Sequence, residues 1–503
     1  MKESPNKNTF DIIIAGSGFA GLLCAVILGK HGYKVLVLEK NQHIGGTLQS
    51  FQHLGRQFST GLHYIGSMDN GQVMNKLFRY AGLFEGIRYQ RLDEHGFEVF
   101  SIAGHTFSIP LGWKNYQQQL VSYFPDELAA IEKYIEAIHE VANTVEIYNL
   151  RLPQVGKAEK LSQSVNAWEF ICSLTENDEL RQVFSALNFV YAGEKQTTPW
   201  YVHALINYYF ISSSYRVVGP SQQLPDRLKQ VVEQQGGAVL SRHEIIRFVF
   251  HENQLTGVAC ANGKEFHAQF FISNIHPITT MRMIEQGKIR KNYRSRLEQK
   301  TDTISSFAVF LSLKPGAIAY RNYNYNSYTQ PDVWLAGVYS SEKWPEHFFM
   351  HFPASDSTTV DHVSVVTYMK YEEVAQWADL PMGKRGVDYE VFKEKKATQL
   401  LALVLKQFPE FEQAIEGYTV ATPLTYRDYI GSPTGSMYGT LRDYRSALSS
   451  YIGTRTKIPN LFLTGQNLNL HGLMGVSMSA LLTCAEFIDL QTLLNDIDDQ
   501  KTT

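Results

Sequence analysis

Gly16, Gly18 and Gly21 fall in a G-x-G-x-x-G spacing, Glu39 follows them, and Gly45-Gly46 closes the segment. Each has its own use in holding a dinucleotide. Gly16 permits a tight turn, Gly18 lets the backbone approach a pyrophosphate, and Gly21 lets a helix pack close to a sheet. Glu39 stands near the spacing, about 20 residues, at which a carboxylate accepts hydrogen bonds from a ribose hydroxyl. A dinucleotide bound this way brings hydride chemistry that side chains alone do not offer.

Secondary structure must position these residues. Ile12 to Ala15 is a short apolar run, suited to a buried parallel strand. Leu22, Leu23, Ala25, Val26 and Leu28 continue as an apolar helix that His31-Gly32 stops, and Val35 to Leu38 forms a second strand ending at Glu39. The helix N-terminus offers free N–H groups and the positive end of its dipole to phosphates. Such glycine spacings occur in loops by chance; the strand before and the helix after distinguish this one.

The chain has 503 residues, so two or three domains are expected. Apolar content of 44% with 19% charged residues describes a folded globular protein. A net charge of −3 gives no reason to expect nucleic acid. Cys24, Cys172, Cys260 and Cys484 form no C-x-x-C or Cys/His pattern, so no metal site is expected and all four read as reduced, as in a cytosolic protein. Residues 1–9 are polar and lack the apolar core of a signal peptide. No apolar run approaches the roughly 20 residues that span a bilayer. A cytoplasmic location is expected, with peripheral contact with a membrane left open.

Further along, residues 96–110 read as a β-hairpin turning at Ala103-Gly104, and Trp113 to about Arg151 keeps a helical spacing. Residues 162–211 also read as helical and are rich in aromatics; among them Trp200, Tyr201, Tyr208, Tyr209 and Phe210 could line a slot, although such a stripe is more often core. A helix is expected from Leu224 to Gln234, then β segments at Ala238–Leu240, Ile245–Phe250, Leu255–Cys260 and Phe270–Asn274. Residues 301–372 alternate as a half-buried sheet would, and 388–406 form a helix. A last strand near Leu461 ends at Gly465, and an apolar helix runs from Gly472 to about Leu494. No second strand–glycine loop–helix unit is visible, so one dinucleotide site is expected.

Together these features resemble the carotenoid isomerase and phytoene desaturase group of FAD-dependent flavoproteins, and within it the retinol saturases. The resemblance runs nearly end to end. It is carried by Lys40 and Gly45-Gly46 beyond the glycine loop, by Phe58-Ser-Thr60-Gly61-Leu-His63-Tyr64-Ile-Gly66, by Gly383-Lys-Arg-Gly386-Val-Asp388-Tyr389-Glu-Val-Phe392, by Pro423-Leu-Thr425, and by Thr464-Gly465-Gln466 with Gly472-Leu-Met-Gly475. It implies an α/β fold: an FAD-binding Rossmann-like domain of the glutathione-reductase type, interrupted by a mixed α+β substrate domain. The expected boundaries are 1–95, 216–300 and 456–503 for the cofactor domain, and 96–215 and 301–455 for the substrate domain. Cofactor contacts are implied at Gly16, Ser17, Gly18, Ala20, Gly21, Glu39, Lys40, Gly45, Gly46 and Thr47. Ile245 would meet the adenine, and Gly465, Gln466, Met474 and Gly475 would complete the site. Two departures stand out: Gly219-Pro220 replaces a family glycine pair, and Thr47-Leu48-Gln49 follows Gly45-Gly46.

The resemblance implies an apolar polyene or isoprenoid substrate whose double bond takes a hydride from reduced flavin N5 and a proton from the protein. Saturation is the first reading; desaturation and cis–trans isomerisation use the same cofactor. His63 and Tyr64 are the candidates beside the ring, either one as proton donor, with the plainer reading that His63 only bonds backbone or FAD. His471 is a weaker candidate. The flavin would be reduced by NAD(P)H binding transiently or by another electron donor. Two other classes share the fold: flavin amine oxidases, and non-enzymatic prenyl-binding proteins of the GDP-dissociation-inhibitor type, which keep a degraded glycine motif.

Overall fold

Ile12–Ala15 is buried at every position, and this follows from its place at the centre of a five-stranded parallel sheet. The order is Ala238–Leu240, Val35–Leu38, Ile12–Ala15, Phe270–Ser273 and Leu461–Leu463. Both faces of such a sheet are covered, so its strands are apolar throughout rather than alternating. Ile12 and Ile14 join a core with helices Phe19–Lys30, Gln223–Gln234 and Gly472–Cys484, while Ile13 and Ala15 face a separate core that includes Ile245, Phe248 and Leu255. The structure, a computed structural model, describes residues 10–153, 165–446 and 450–499. The polar stretch 1–9 and part of the expected helical region 162–211 lie outside the described residues.

The second large unit is a seven-stranded sheet in the order Ile415–Ala421, Ser305–Leu313, His362–Met369, His347–His351, Asn324–Tyr328, Glu98–Ile102 and His105–Ile109. Its pairs are antiparallel except Asn324–Tyr328 against Glu98–Ile102. The expected half-buried alternation is not what forms. Ser305–Leu313 is buried at all its positions. Phe310 packs on Phe51 and Phe58 at 4.9 and 5.6 Å, and Phe307, of opposite parity, meets Trp344 at 5.4 Å. Both faces are covered, and the strand's serines are buried with their own partners, as when Ser305 Oγ donates to Gly435 O at 2.6 Å.

Two expected helices are each broken in two. The run from Trp113 forms Trp113–Tyr123 and Leu128–Thr144, because Pro125 pushes Phe124 out of helical geometry, to φ −133° and ψ 71°. The C-terminal run forms Gly472–Cys484 and Leu490–Asp498, where Asp489 starts a new helix by accepting from Thr492 N. All four cysteines are free; Cys24 and Cys484, distant in sequence, meet where the first and penultimate helices pack.

Candidate functional site

At the end of Ile12–Ala15 the chain turns through Gly16, φ +93°, into Gly18, the N-cap of Phe19–Lys30. That cap has no side-chain hydrogen bond, and the first turn carries no acidic residue. Its N–H groups are thus left for an anion. Ser17 is fully buried and ties the loop to the second strand: its N and Oγ donate to Glu39 Oε2 at 3.0 and 2.6 Å, and Asn41 N donates to Oε1 at 2.9 Å. Gly45 N donates to Ser17 Oγ at 3.1 Å, which seats the glycine pair against the loop. A Cβ on Gly46 would lie 3.2 Å from Gly18 Cα.

A cavity of about 370 Å³ opens here. Gly16, Gly18, Ala20, Glu39, Lys40, Gly46 and Thr47 line it, as do Ile245, Gly465, Gln466, Met474 and Gly475. Ser17, Gly21 and Gly45 stand behind the wall instead. Gly21 is a packing position: a Cβ there would sit 2.4 Å from Gly16 O. Lys40 Nζ is held by Asp428 O at 2.6 Å. Of the two departures from the family pattern, Thr47 and Leu48 are on the wall, and neither Gly219 nor Pro220 is.

Sequence reasoning missed Asn274. It follows strand Phe270–Ser273, and its side chain fills the space that three glycines leave. A Cβ on Gly18 would meet Asn274 Nδ2 at 2.7 Å, one on Gly21 at 3.0 Å, and one on Gly465 would meet Oδ1 at 2.6 Å. The available signal was an amide just past a buried strand, at the tip where the first strand's glycines also lie.

The other end of the cavity is aromatic. Tyr208, Tyr209 and Phe210 line it; Trp200 and Tyr201 do not. Trp200 packs in the core, 4.2 Å from the Phe170 ring. Phe189 and Phe349, from elements remote in sequence, complete the wall.

His63 and Tyr64 both line the cavity. The His63 ring lies 4.9 Å from His351 and 5.1 Å from Phe349. Burial, helped by Arg216, holds His63 down to about 4 and His351 well below the usual histidine range. His471, whose Nε2 donates to Val190 O at 3.1 Å, is held by burial to about 4. At neutral pH these imidazoles are therefore neutral, each with a single ring N–H. Burial, then the neighbouring Glu98, keeps the Tyr64 phenol protonated by raising it well above the usual range.

Residues 19–487 match the family described as flavin containing amine oxidoreductase. The chain belongs to this family. It is a flavin-dependent oxidoreductase of α/β fold. The chain is 29% identical to all-trans-retinol 13,14-reductase of Rattus norvegicus, over 97% of this chain and 87% of that one. It is 22% identical to chloroplastic prolycopene isomerase of Daucus carota, over 86% of this chain and 72% of that one. Cyclohexylamine oxidase from Brevibacterium oxydans has the same fold, with a TM-score of 0.62, 15% identity, and 98% and 99% of the two chains covered.

The residues present fit a flavin dinucleotide. The helix N-terminus is uncapped, a Cβ at Gly46 would crowd the loop, and Glu39 faces the cavity with acceptor capacity beyond its three bonds. We predict that Glu39→Ala lowers flavin affinity at least about tenfold, since it removes the carboxylate that a ribose would use as acceptor and leaves Ser17 N without its partner. Equilibrium titration of the stripped protein with FAD measures this; unchanged affinity would remove Glu39 from the site.

Proposed function

We propose that this flavoenzyme binds FAD and saturates a carbon–carbon double bond of a long apolar polyene, retinoid or carotenoid-like. The observation that carries this reading is the course of the cavity, from the glycine loop and Glu39 to an aromatic wall of Tyr208, Tyr209, Phe210, Phe189 and Phe349. The carboxylates and the lysine among its lining residues, Glu39, Glu244 and Lys40, belong to the dinucleotide end. The similarity to a retinol reductase and a prolycopene isomerase favours a polyene over an amine substrate. The intact glycine loop disfavours a flavin-free prenyl carrier. The similarity to a retinol reductase supports saturation in particular.

FAD bound here would supply the hydride. The chain's own residues orient the substrate between aromatic faces, exclude water, and hold a proton at Tyr64 Oη. With a single glycine-loop unit filled by FAD, the reductant would be NAD(P)H or another carrier that binds transiently. No helix among the described residues is long and apolar enough to cross a membrane. Contact with a membrane surface is proposed at exposed Met382, Val387 and Val391, joined through the Arg385–Asp428 pair to helix Pro423–Ile430, whose Tyr429 reaches the cavity.

The test is anaerobic incubation of the reduced protein with a panel of polyenes in lipid vesicles, read by mass spectrometry and by co-sedimentation. A product heavier by two hydrogens is expected. Loss of two hydrogens in a parallel incubation with the oxidised protein would make the enzyme a desaturase, and changed retention without a mass change an isomerase. Protein left in the supernatant would refute the membrane contact.

A further inference from the structure

Behind Tyr64, strand Glu98–Ile102 of the seven-stranded sheet and strand Ser214–Val217 of a three-stranded sheet bury a carboxylate and a guanidinium that the binding site does not need. Glu98 has no exposed surface, and Arg216 is 1% exposed. They form no direct ion pair among the described residues. Asn324 bridges them: its Nδ2 donates to Glu98 Oε1 at 2.9 Å, and its Oδ1 accepts from Arg216 Nη2 at 2.8 Å. Asn326 Nδ2 donates to the other carboxylate oxygen at 2.7 Å. A buried carboxyl held by two neutral amides, with its cation one residue removed, is poised to exist in either protonation state. Burial, offset by the Asn324, Tyr64 and Asn326 hydrogen-bonding contacts and by Arg216, places Glu98 at about 7. The fully buried Tyr64 hydroxyl lies against this carboxyl without a bond of good geometry, and its ring lines the cavity.

We propose that Tyr64 and Glu98 form a proton relay, in which Tyr64 donates to the substrate, Glu98 restores the Tyr64 proton, and Arg216 balances the charge left behind. This rests on the reading of the enzyme as a double-bond reductase. The substrate π bond breaks as two C–H bonds form, one with a hydride from the reduced flavin and one with the Tyr64 proton. The Glu98 O–H breaks as the Tyr64 O–H re-forms, so no phenolate accumulates. Water entering after product release reprotonates Glu98. The two electrons come from the flavin, loaded beforehand by a nicotinamide or equivalent donor. Glu98 is a positioning and proton-supplying residue, while Tyr64 is the catalytic one. The groups facing Glu98 are Arg216 from Ser214–Val217, Tyr64 ahead of Ile65–Gly66, and Tyr328 from Asn324–Tyr328, while His347 reaches Asn326.

The relay is tested on the FAD-loaded protein in two ways. Infrared difference spectra between about pH 5 and about pH 9 should show a protonated carboxyl band titrating near 7, retained in Tyr64→Phe and absent in Glu98→Gln. Single turnover of the reduced protein with all-trans-retinol should slow above the same midpoint. Tyr64→Phe should lower that rate by about 10²–10⁴-fold, and Glu98→Gln should flatten the profile. Glu98→Asp keeps an acid and should move the midpoint, which covers the case in which Glu98→Gln does not fold. A carboxyl band that does not titrate, or an unchanged pH profile in both Glu98 variants, overturns the relay. If the native enzyme reduces neither retinol nor any other polyene of the panel, the polyene reading fails, and the infrared titration still decides whether Glu98 holds the proton.

Discussion

Gly18→Val should yield a folded protein that carries no flavin. A Cβ at this position already lies 2.7 Å from Asn274 Nδ2, and valine adds two branches at the uncapped N-terminus of Phe19–Lys30. Those branches fill the approach that a pyrophosphate needs, and the displaced amide cannot retreat freely, because the same side chain closes on Gly21 and Gly465. The fold should survive, since the strand and helix on either side keep their apolar cores. Gly21→Val makes the contrast: there the clash is with the backbone oxygen of Gly16, so stability falls with binding. We expect bound flavin per chain to drop at least about tenfold in Gly18→Val, corresponding to about 1.4 kcal/mol or more of binding. Visible absorbance after gel filtration, beside far-ultraviolet circular dichroism, reads both quantities. Normal flavin content would sink the assignment of this loop.

The glycine loop was legible in the sequence because each of its constraints is local: a positive φ, a close helix, an acid at the next strand end. Glu39 and Gly465 could be read for the same reason. Glu98 could not, although its parity with Phe100 and Ile102 in strand Glu98–Ile102 was a signal that it pointed inward. What makes it significant is Asn324, which the parallel register places opposite it. No spacing rule joins residues so far apart. Asn274 was hidden likewise, as it matters only where two parallel strands bring their tips together. The error over Ser305–Leu313 has a different cause. Its serines imitated a solvent face, whereas burial on both sides is tolerated when each hydroxyl finds a partner.

Arg216→Met should be the most costly single change, and its cost should depend on pH. Above about 7 Glu98 is ionised, and removing the facing cation leaves a buried charge that must stay uncompensated or take up a proton, an added loss of up to about 1.4 kcal/mol for each pH unit above the midpoint. Below that midpoint Glu98 is neutral, and the loss falls to that of packing and of the Asn324 Oδ1 partner. The native protein carries the same dependence in milder form. The Glu98 carboxyl is raised from 4.5 to about 7 on folding, so between these values the native state binds the proton that the unfolded chain has released. The stability associated with that proton is fully present below about 4.5 and is lost as pH rises through about 7, a span of about 3 kcal/mol. Glu98→Gln removes this slope, and Arg216→Met/Glu98→Gln should recover most of what Arg216→Met loses at high pH, because no charge is then left buried. Urea unfolding of the four proteins at about pH 5 and about pH 8 separates the terms. Equal losses for Arg216→Met at both pH values would show that Glu98 does not change its charge in this interval, and the Glu98–Asn324–Arg216 bridge would then be a fixed structural feature.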